Sequence, residues 1–181
     1  MTTRDRVVDA LSRLPGVRVA EVGDDGLLIE TETAAHKADV MQVLAHLGAE
    51  HPDVSRVGAE ARGAYKHDRD VAAHLLRCAH DLRWRQEHGE RFALPHVTQR
   101  LRFGDCDDLV VLLVAWMLAA GLDAECVVIL DDVGDGPEGT HATARVRLGG
   151  AWVWAEPSVR CWLGSDPREL RRLGGVVPSG T

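Results

Sequence analysis

The stretch FGDCDDLVVLLVAWMLAAGL, residues 103–122, sets one cysteine among three aspartates and then runs into a continuous apolar segment. Asp105 is of the type that caps a helix N-terminus, and Asp108, three positions on, stands where a capping box has its second member. Cys106 is then the first residue of a helix predicted over about 105–120. That helix is apolar on nearly every side, which places it at the centre of a domain. Its run from Leu109 to Gly121 is too short to cross a bilayer. A thiol at the first helical position meets unpaired backbone N–H groups and the positive end of the helix dipole, which favour the nucleophilic thiolate. Asp105, Asp107 and Asp108 oppose this unless they are absorbed in capping bonds or paired. A reactive Cys106 therefore needs a cationic neighbour. The plain alternative is a packed thiol that happens to begin a core helix.

The C-terminal third changes from period 3.6 to period 2. AECVVIL (124–130), HATARVRL (141–148) and AWVWAE (151–156) read as strands, the last two joined by Gly149 and Gly150 as a two-residue hairpin loop. Such a loop sets Leu148 opposite Ala151, Val146 opposite Val153 and Thr143 opposite Glu156. Side chains alternate along a strand, so His141, Thr143, Arg145 and Arg147 share a face with Trp152, Trp154 and Glu156. His141 becomes a diagonal neighbour of Glu156, a spacing of about 7 Å that longer side chains bridge. A histidine held by a carboxylate and brought to a helix-terminal cysteine makes a Cys–His–acid nucleophilic triad. Spacing alone does not join Cys106 to His141. Trp152 and Trp154 either line a groove on that face or cover the sheet.

The N-terminal part reads differently. A helix over 3–14, a hairpin of VRVAEV and LLIET around GDDG (23–26), a second helix over about 34–49 and VSRV (54–57) as a last strand outline a small ferredoxin-like α/β unit. It resembles small metal chaperones in outline but lacks their C-x-x-C, so it is expected to dock or pack rather than bind metal. GAEARGAYKHDRD (58–70) is non-periodic and serves as the expected boundary, giving a unit over 1–58 and a main domain over 59–181. Beyond it Val71, Leu75, Cys78 and Leu82 predict a helix that ends at Gly89, followed by a loop over 89–104.

Composition narrows the class. With 181 residues, 45% hydrophobic and 27% charged, the chain can bury a core without staples. A net charge of −7 argues against nucleic acid as the main partner, and RELRR (168–172) reads as a solvated helix face. Cys78, Cys106, Cys126 and Cys161 are widely spaced, which suits neither a disulfide framework nor a zinc knuckle. His74, Cys78 and His80 on one helix make poor zinc geometry, and the acidic loop 131–136 has no regular cation-ligand pattern. No metal, cofactor or membrane partner is expected. The opening MTTRDRVVDALSRLPG has no apolar leader core, so a cytoplasmic setting is expected.

GDCDDLVVLLVAWMLAAGLDAECVVI (104–129) followed by HATARVRLGGAWVWAEPSV (141–159) is similar to the transglutaminase-like superfamily of papain-like cysteine enzymes. That pattern is G-x-C-x-D, an apolar helix ending near GI-A, H-A-x-x-x-V before a small turn, and W-V-x-x-D-P-T or near variants. The G-D-C-D-D form looks like bacterial and phage members, and the match runs over about residues 68–162, with HLLRCAHDLRW (74–84) and Pro95 before the cysteine. The resemblance implies an α+β, papain-like transglutaminase-like domain with its cysteine helix packed on an antiparallel sheet. It implies Cys106 as nucleophile, His141 as base and Glu156 as acid, where the family usually has Asp. Thr143 stands where an aromatic residue often follows H-A. For the second oxyanion donor, beside the Cys106 N–H, Gln99 and His96 are the nearby candidates. The implied reaction is acyl transfer on amide bonds of a protein or peptide through a Cys106 thioester, as peptidase, deamidase or transglutaminase. The alternatives are a non-catalytic binding or assembly module, for example a phage-associated structural protein, and a processing protease with residues 1–58 for recognition.

Overall fold

The structure is a computed structural model and describes residues 2–23, 26–85, 91–130 and 140–172. Helix α1 (Thr3–Leu11) starts at a capping box in which Thr2 and Asp5 bond each other's backbone amides. Strands β1 (Val17–Val22) and β2 (Gly26–Thr31) form an antiparallel pair. Helices α2 (Ala34–Ala49), α3 (Pro52–Ala64) and α4 (Asp68–His80) follow in close succession. Two short strands, β3 (Arg83–Trp84) and β4 (Arg91–Ala93), precede α5 (Pro95–Leu101) and β5 (Phe103–Gly104). Then come α6 (Cys106–Ala119), β6 (Ala124–Leu130), β7 (Thr140–Leu148), β8 (Ala151–Ala155) and α7 (Pro167–Arg172). The result is a mixed α+β chain with sheets ordered β1-β2-β4, β3-β5 and β6-β7-β8.

Helix α6 is the centre. Val110, Leu112, Leu113, Val114, Ala115 and Met117 are fully enclosed, as its unbroken apolar sequence requires. Helices α2, α3, α4 and α5 pack around it, with β6 and β7 on its remaining side. Along β7, Ala142, Ala144 and Val146 are buried, which leaves His141, Thr143, Arg145 and Arg147 on the opposite pleat. The hairpin register is as the glycine loop predicts, with Leu148 opposite Ala151 and Val146 opposite Val153. Gly149 and Gly150 take φ of 59° and 87°, the left-handed pair that a tight hairpin turn demands.

The first half departs from expectation. VSRV (54–57) lies inside α3: Pro52 at its first position and Asp53 in its first turn begin a helix, and Val54, Gly58 and Ala61 form its buried stripe. The third strand beside β1 and β2 is β4, from well beyond residue 58. GAEARGAYKHDRD (58–70) is mostly helical, belonging to α3 and α4. One core holds Val7, Leu11, Met41 and Leu44 together with Leu112, Met117 and Ala155, so packing is continuous across position 58. Helix α1 stops at Leu11. Helix α4 ends at His80, because the chain leaves it to pair β3 with β5; Gly89 and loop 131–136 lie outside the described residues. The expected loop over 89–104 contains β4, α5 and β5.

Gln42 on α2 closes the open edge of the third sheet. Its Nε2 donates to the Ala124 carbonyl at 3.3 Å and its Oε1 accepts from the Cys126 N–H at 2.8 Å, as a neighbouring strand would. Among the described residues no helix is long and apolar enough to cross a membrane.

Helix α3 approaches α6 through Gly58, where a Cβ would meet Ala119 Cβ, Ala120 N and Trp116 O at 2.7 Å. Gly58→Ala is expected to cost about 1–3 kcal/mol, the usual range for overpacking. Gly63→Ala on the same helix, with nothing within 4 Å, should be neutral or stabilise by up to about 1 kcal/mol through helix propensity. Urea unfolding followed by circular dichroism measures both.

Candidate active site

Each of the three aspartates at the start of α6 has its own partner. Asp105 is the N-cap, and its Oδ1 accepts from the N–H groups of Asp107 at 3.0 Å and Asp108 at 3.1 Å. Asp108 turns inward, where its Oδ1 accepts from the Ala93 N–H of β4 at 2.8 Å. Gly104 makes room for it, since a Cβ there would lie 2.6 Å from Asp108 Cβ. Asp107 pairs with Lys37 of α2, Oδ2 to Nζ at 2.7 Å, both side chains about nine-tenths buried at 9% and 11% exposed. The cation that the aspartate cluster needs comes from the N-terminal part of the chain, 70 positions away (107 − 37).

Cys106 occupies the first turn of this helix. Its thiol donates to Asp107 Oδ1 at 3.7 Å, and the N–H of Ala142 on β7 also faces the sulfur. Burial chiefly, then the charges of Asp107 and Asp105, push the thiol well above its ordinary value; the Ala142 N–H and Lys37 act in the opposite direction.

His141, near the start of β7, bonds Glu156 directly, Nε2 to Oε2 at 2.8 Å. The other carboxylate oxygen, Oε1, accepts from the Ser158 N–H at 2.9 Å and from the Ser158 hydroxyl. Glu156 is 1% exposed. Burial would raise its carboxyl, but the bond to His141 and its charge, together with the two bonds from Ser158, outweigh that and hold it below the ordinary value. The Glu156 carbonyl is in turn held by His80 of α4, whose Nε2 donates at 2.9 Å.

Two of the three residues expected to act together are therefore in direct contact. The third, Cys106, sends its thiol hydrogen bond to Asp107, with the Ala142 N–H, next to His141 in β7, favouring its thiolate. Gln99 and His96 are engaged elsewhere. Gln99 Oε1 accepts from Trp116 Nε1 at 2.7 Å, ten positions and about 15 Å along α6 from Cys106. His96 stacks on His51 with ring centroids 4.1 Å apart. Trp152 lies under the Arg145 guanidinium, 4.8 Å from ring centroid to Cζ, so in part it covers the sheet. Sequence reasoning missed the roles of Lys37, which lies far from the motif in the chain, and of His80, which was weighed only as a metal ligand.

Ligand atoms of Asp105, Cys106 and Asp107 lie within 4.8 Å of one another. A cation there would share Asp107 with the buried Lys37 ammonium. His80 is engaged with Glu156, and His74 instead approaches the Cys78 sulfur at 3.6 Å and the Tyr65 hydroxyl at 3.4 Å.

No protein-family profile and no curated protein matches the chain. Solved structures do. A proposed protease from Parabacteroides distasonis superposes with a TM-score of 0.54 over 71% of this chain and 28% of its own, at 12% identity. The two share a fold. A proposed cysteine protease from Cytophaga hutchinsonii gives 0.48 at 15% identity, over 58% of this chain and 36% of that one. The periplasmic domain of TgpA from Pseudomonas aeruginosa, bound to ethylmercury, gives 0.49 at 13% identity, over 80% and 66%. The chain spans about a third of the two proteases' length.

Because Glu156 is held below the ordinary 4.5, it contributes stability that is full above that pH and lost as pH falls through the folded value. Glu156→Gln should lose about 1–3 kcal/mol at pH 7 through its weakened hydrogen bonds. It should also show a shallower acid limb than the parent. Unfolding free energies between pH 7 and pH 3 provide the comparison.

Proposed function

We propose that this chain is a cysteine-dependent acyl-transfer enzyme acting on amide bonds of a protein or peptide, with Cys106 as nucleophile, His141 as base and Glu156 as the group that orients it. The observation that carries this reading is the 2.8 Å bond from His141 Nε2 to a buried Glu156. Fold similarity to a proposed protease supports it.

The chemistry follows from which ring nitrogen is engaged. Glu156 accepts from Nε2–H, so the lone pair is on Nδ1. Nδ1 takes the thiol proton as Sγ attacks the amide carbonyl carbon. The oxyanion forms opposite the Cys106 backbone N–H at the positive end of α6. Collapse breaks the C–N bond, the amine leaves with the proton from Nδ1, and a thioester remains on Sγ. Water then returns the thiol and releases a carboxylate, as in a peptidase or deamidase; an amine in its place gives a new amide, as in a transglutaminase. The thiolate generated in this cycle is stabilised by the Ala142 N–H. We propose a cytoplasmic setting as well, since four unpaired cysteines are the usual pattern of a reducing compartment.

The hydrogen bond of the Cys106 thiol to Asp107 favours a second reading, a binding or assembly module that keeps the fold without the activity. Reactivity separates the two. In the enzyme, Cys106→Ala lowers amide turnover by at least about 10³-fold, and iodoacetamide alkylates Cys106 faster than Cys78 or Cys126 when peptides are followed by mass spectrometry. Retained turnover in that variant, or equal slow labelling of all four cysteines, would sink the proposal.

A further inference from the structure

Lys37 lies outside every element that carries the proposed triad, yet its ammonium is buried 2.7 Å from Asp107, the residue whose other oxygen receives the Cys106 thiol at 3.7 Å. A buried ion pair is costly to assemble and is weak evidence of a stability role. Here one of its oxygens is turned to the sulfur. We propose that Lys37 and Asp107 are positioning residues that park the Cys106 thiol: Asp107 accepts its hydrogen bond, and Lys37 offsets the Asp107 charge so that the thiolate can still form. This rests on Cys106 being the nucleophile.

The groups around the sulfur support such a division of work. Asp105 caps the helix amides, though its charge still bears on the sulfur, and Asp108 bonds Ala93. From β7 the Ala142 N–H faces the sulfur, and next to it His141 is tied to Glu156 of the segment after β8. From β6, Cys126 feels the Asp107 charge. On α4, His80 bonds the Glu156 carbonyl, and on α5, His96 stacks with His51. In this surrounding Asp107 is the carboxylate whose free effect on the sulfur is largest, and Lys37 is its compensating charge. Attack requires the thiol to exchange its hydrogen bond to Asp107 for one to Nδ1 of His141.

The test follows the pH dependence of Cys106 alkylation by iodoacetamide in the full chain, read by peptide mass spectrometry, with folding checked by circular dichroism. Lys37→Met leaves Asp107 uncompensated beside the sulfur. Its labelling midpoint should rise by about one pH unit or more, with labelling roughly tenfold slower at neutral pH. The double variant Lys37→Met/Asp107→Asn removes both charges and should return the midpoint to the parent's or below. A purely structural pair would lower the melting temperature and leave the midpoint unmoved, which overturns the assignment. So does a double variant as slow as the single one. Should Lys37→Met fail to fold, the double variant compared with the parent carries the test, and a midpoint above the parent's is the overturning result. Labelling needs no substrate. An unmoved midpoint alongside turnover that depends on Cys106 refutes the parking role alone, whereas turnover retained in Cys106→Ala refutes the nucleophile.

Discussion

The start of α6 sets a problem that the rest of the molecule solves. Three carboxylates sit at the first turn of a helix whose remainder is fully apolar, so the helix cannot be buried unless each charge is matched on the way in. The cap uses one. The other two are met from distant parts of the chain, Lys37 of α2 and the Ala93 amide of β4. These contacts draw the N-terminal helices and the short β2–β4 pairing onto α6, and together they fix where the Cys106 sulfur lies. A glycine at 104 is needed for the same reason, since any Cβ would collide with Asp108.

On the other side of the site, length is the constraint. A glutamate reaches one methylene further than an aspartate, and a longer arm loses more rotamer freedom when held. Three anchors limit that freedom in Glu156: two bonds from Ser158 to Oε1 and the His80 bond to its carbonyl. With Oε1 occupied, Oε2 is the oxygen presented to His141 at 2.8 Å. The residue after β8 is thus fixed by backbone as well as side chain, and the reach of the glutamate is absorbed locally.

What could be read in the sequence follows the range of each signal. The β7–β8 register was legible because two glycines with left-handed φ define a tight turn, and register then propagates residue by residue. Asp105 as cap and Cys106 at the first position of α6 were legible because capping is local. Strands of two or three residues such as β3, β4 and β5 carry no measurable period. VSRV was misread because four residues cannot separate a strand from a helical stripe, although Pro52 with Asp53 was a usable helix signal. Lys37, Gln42 and His80 act across 70 to 84 positions, and nothing in a linear pattern says which of many polar residues will do so.

The role of α2 brings these points together. Lys37 and Gln42 lie on the same helix, one gripping the start of α6 and the other the edge of β6. Strand β6 pairs with β7, setting Ile129 opposite His141, so α2 holds the helix that bears Cys106 and the sheet that bears His141 in one frame. Neither of its bonds involves a proposed triad residue. Small changes in the angle of α6 to the sheet would alter the distance from sulfur to imidazole far more than the chemistry of either group, and near-attack geometry tolerates little of that. The N-terminal part of the chain therefore enters the site as its scaffold, through one ion pair and one side-chain amide.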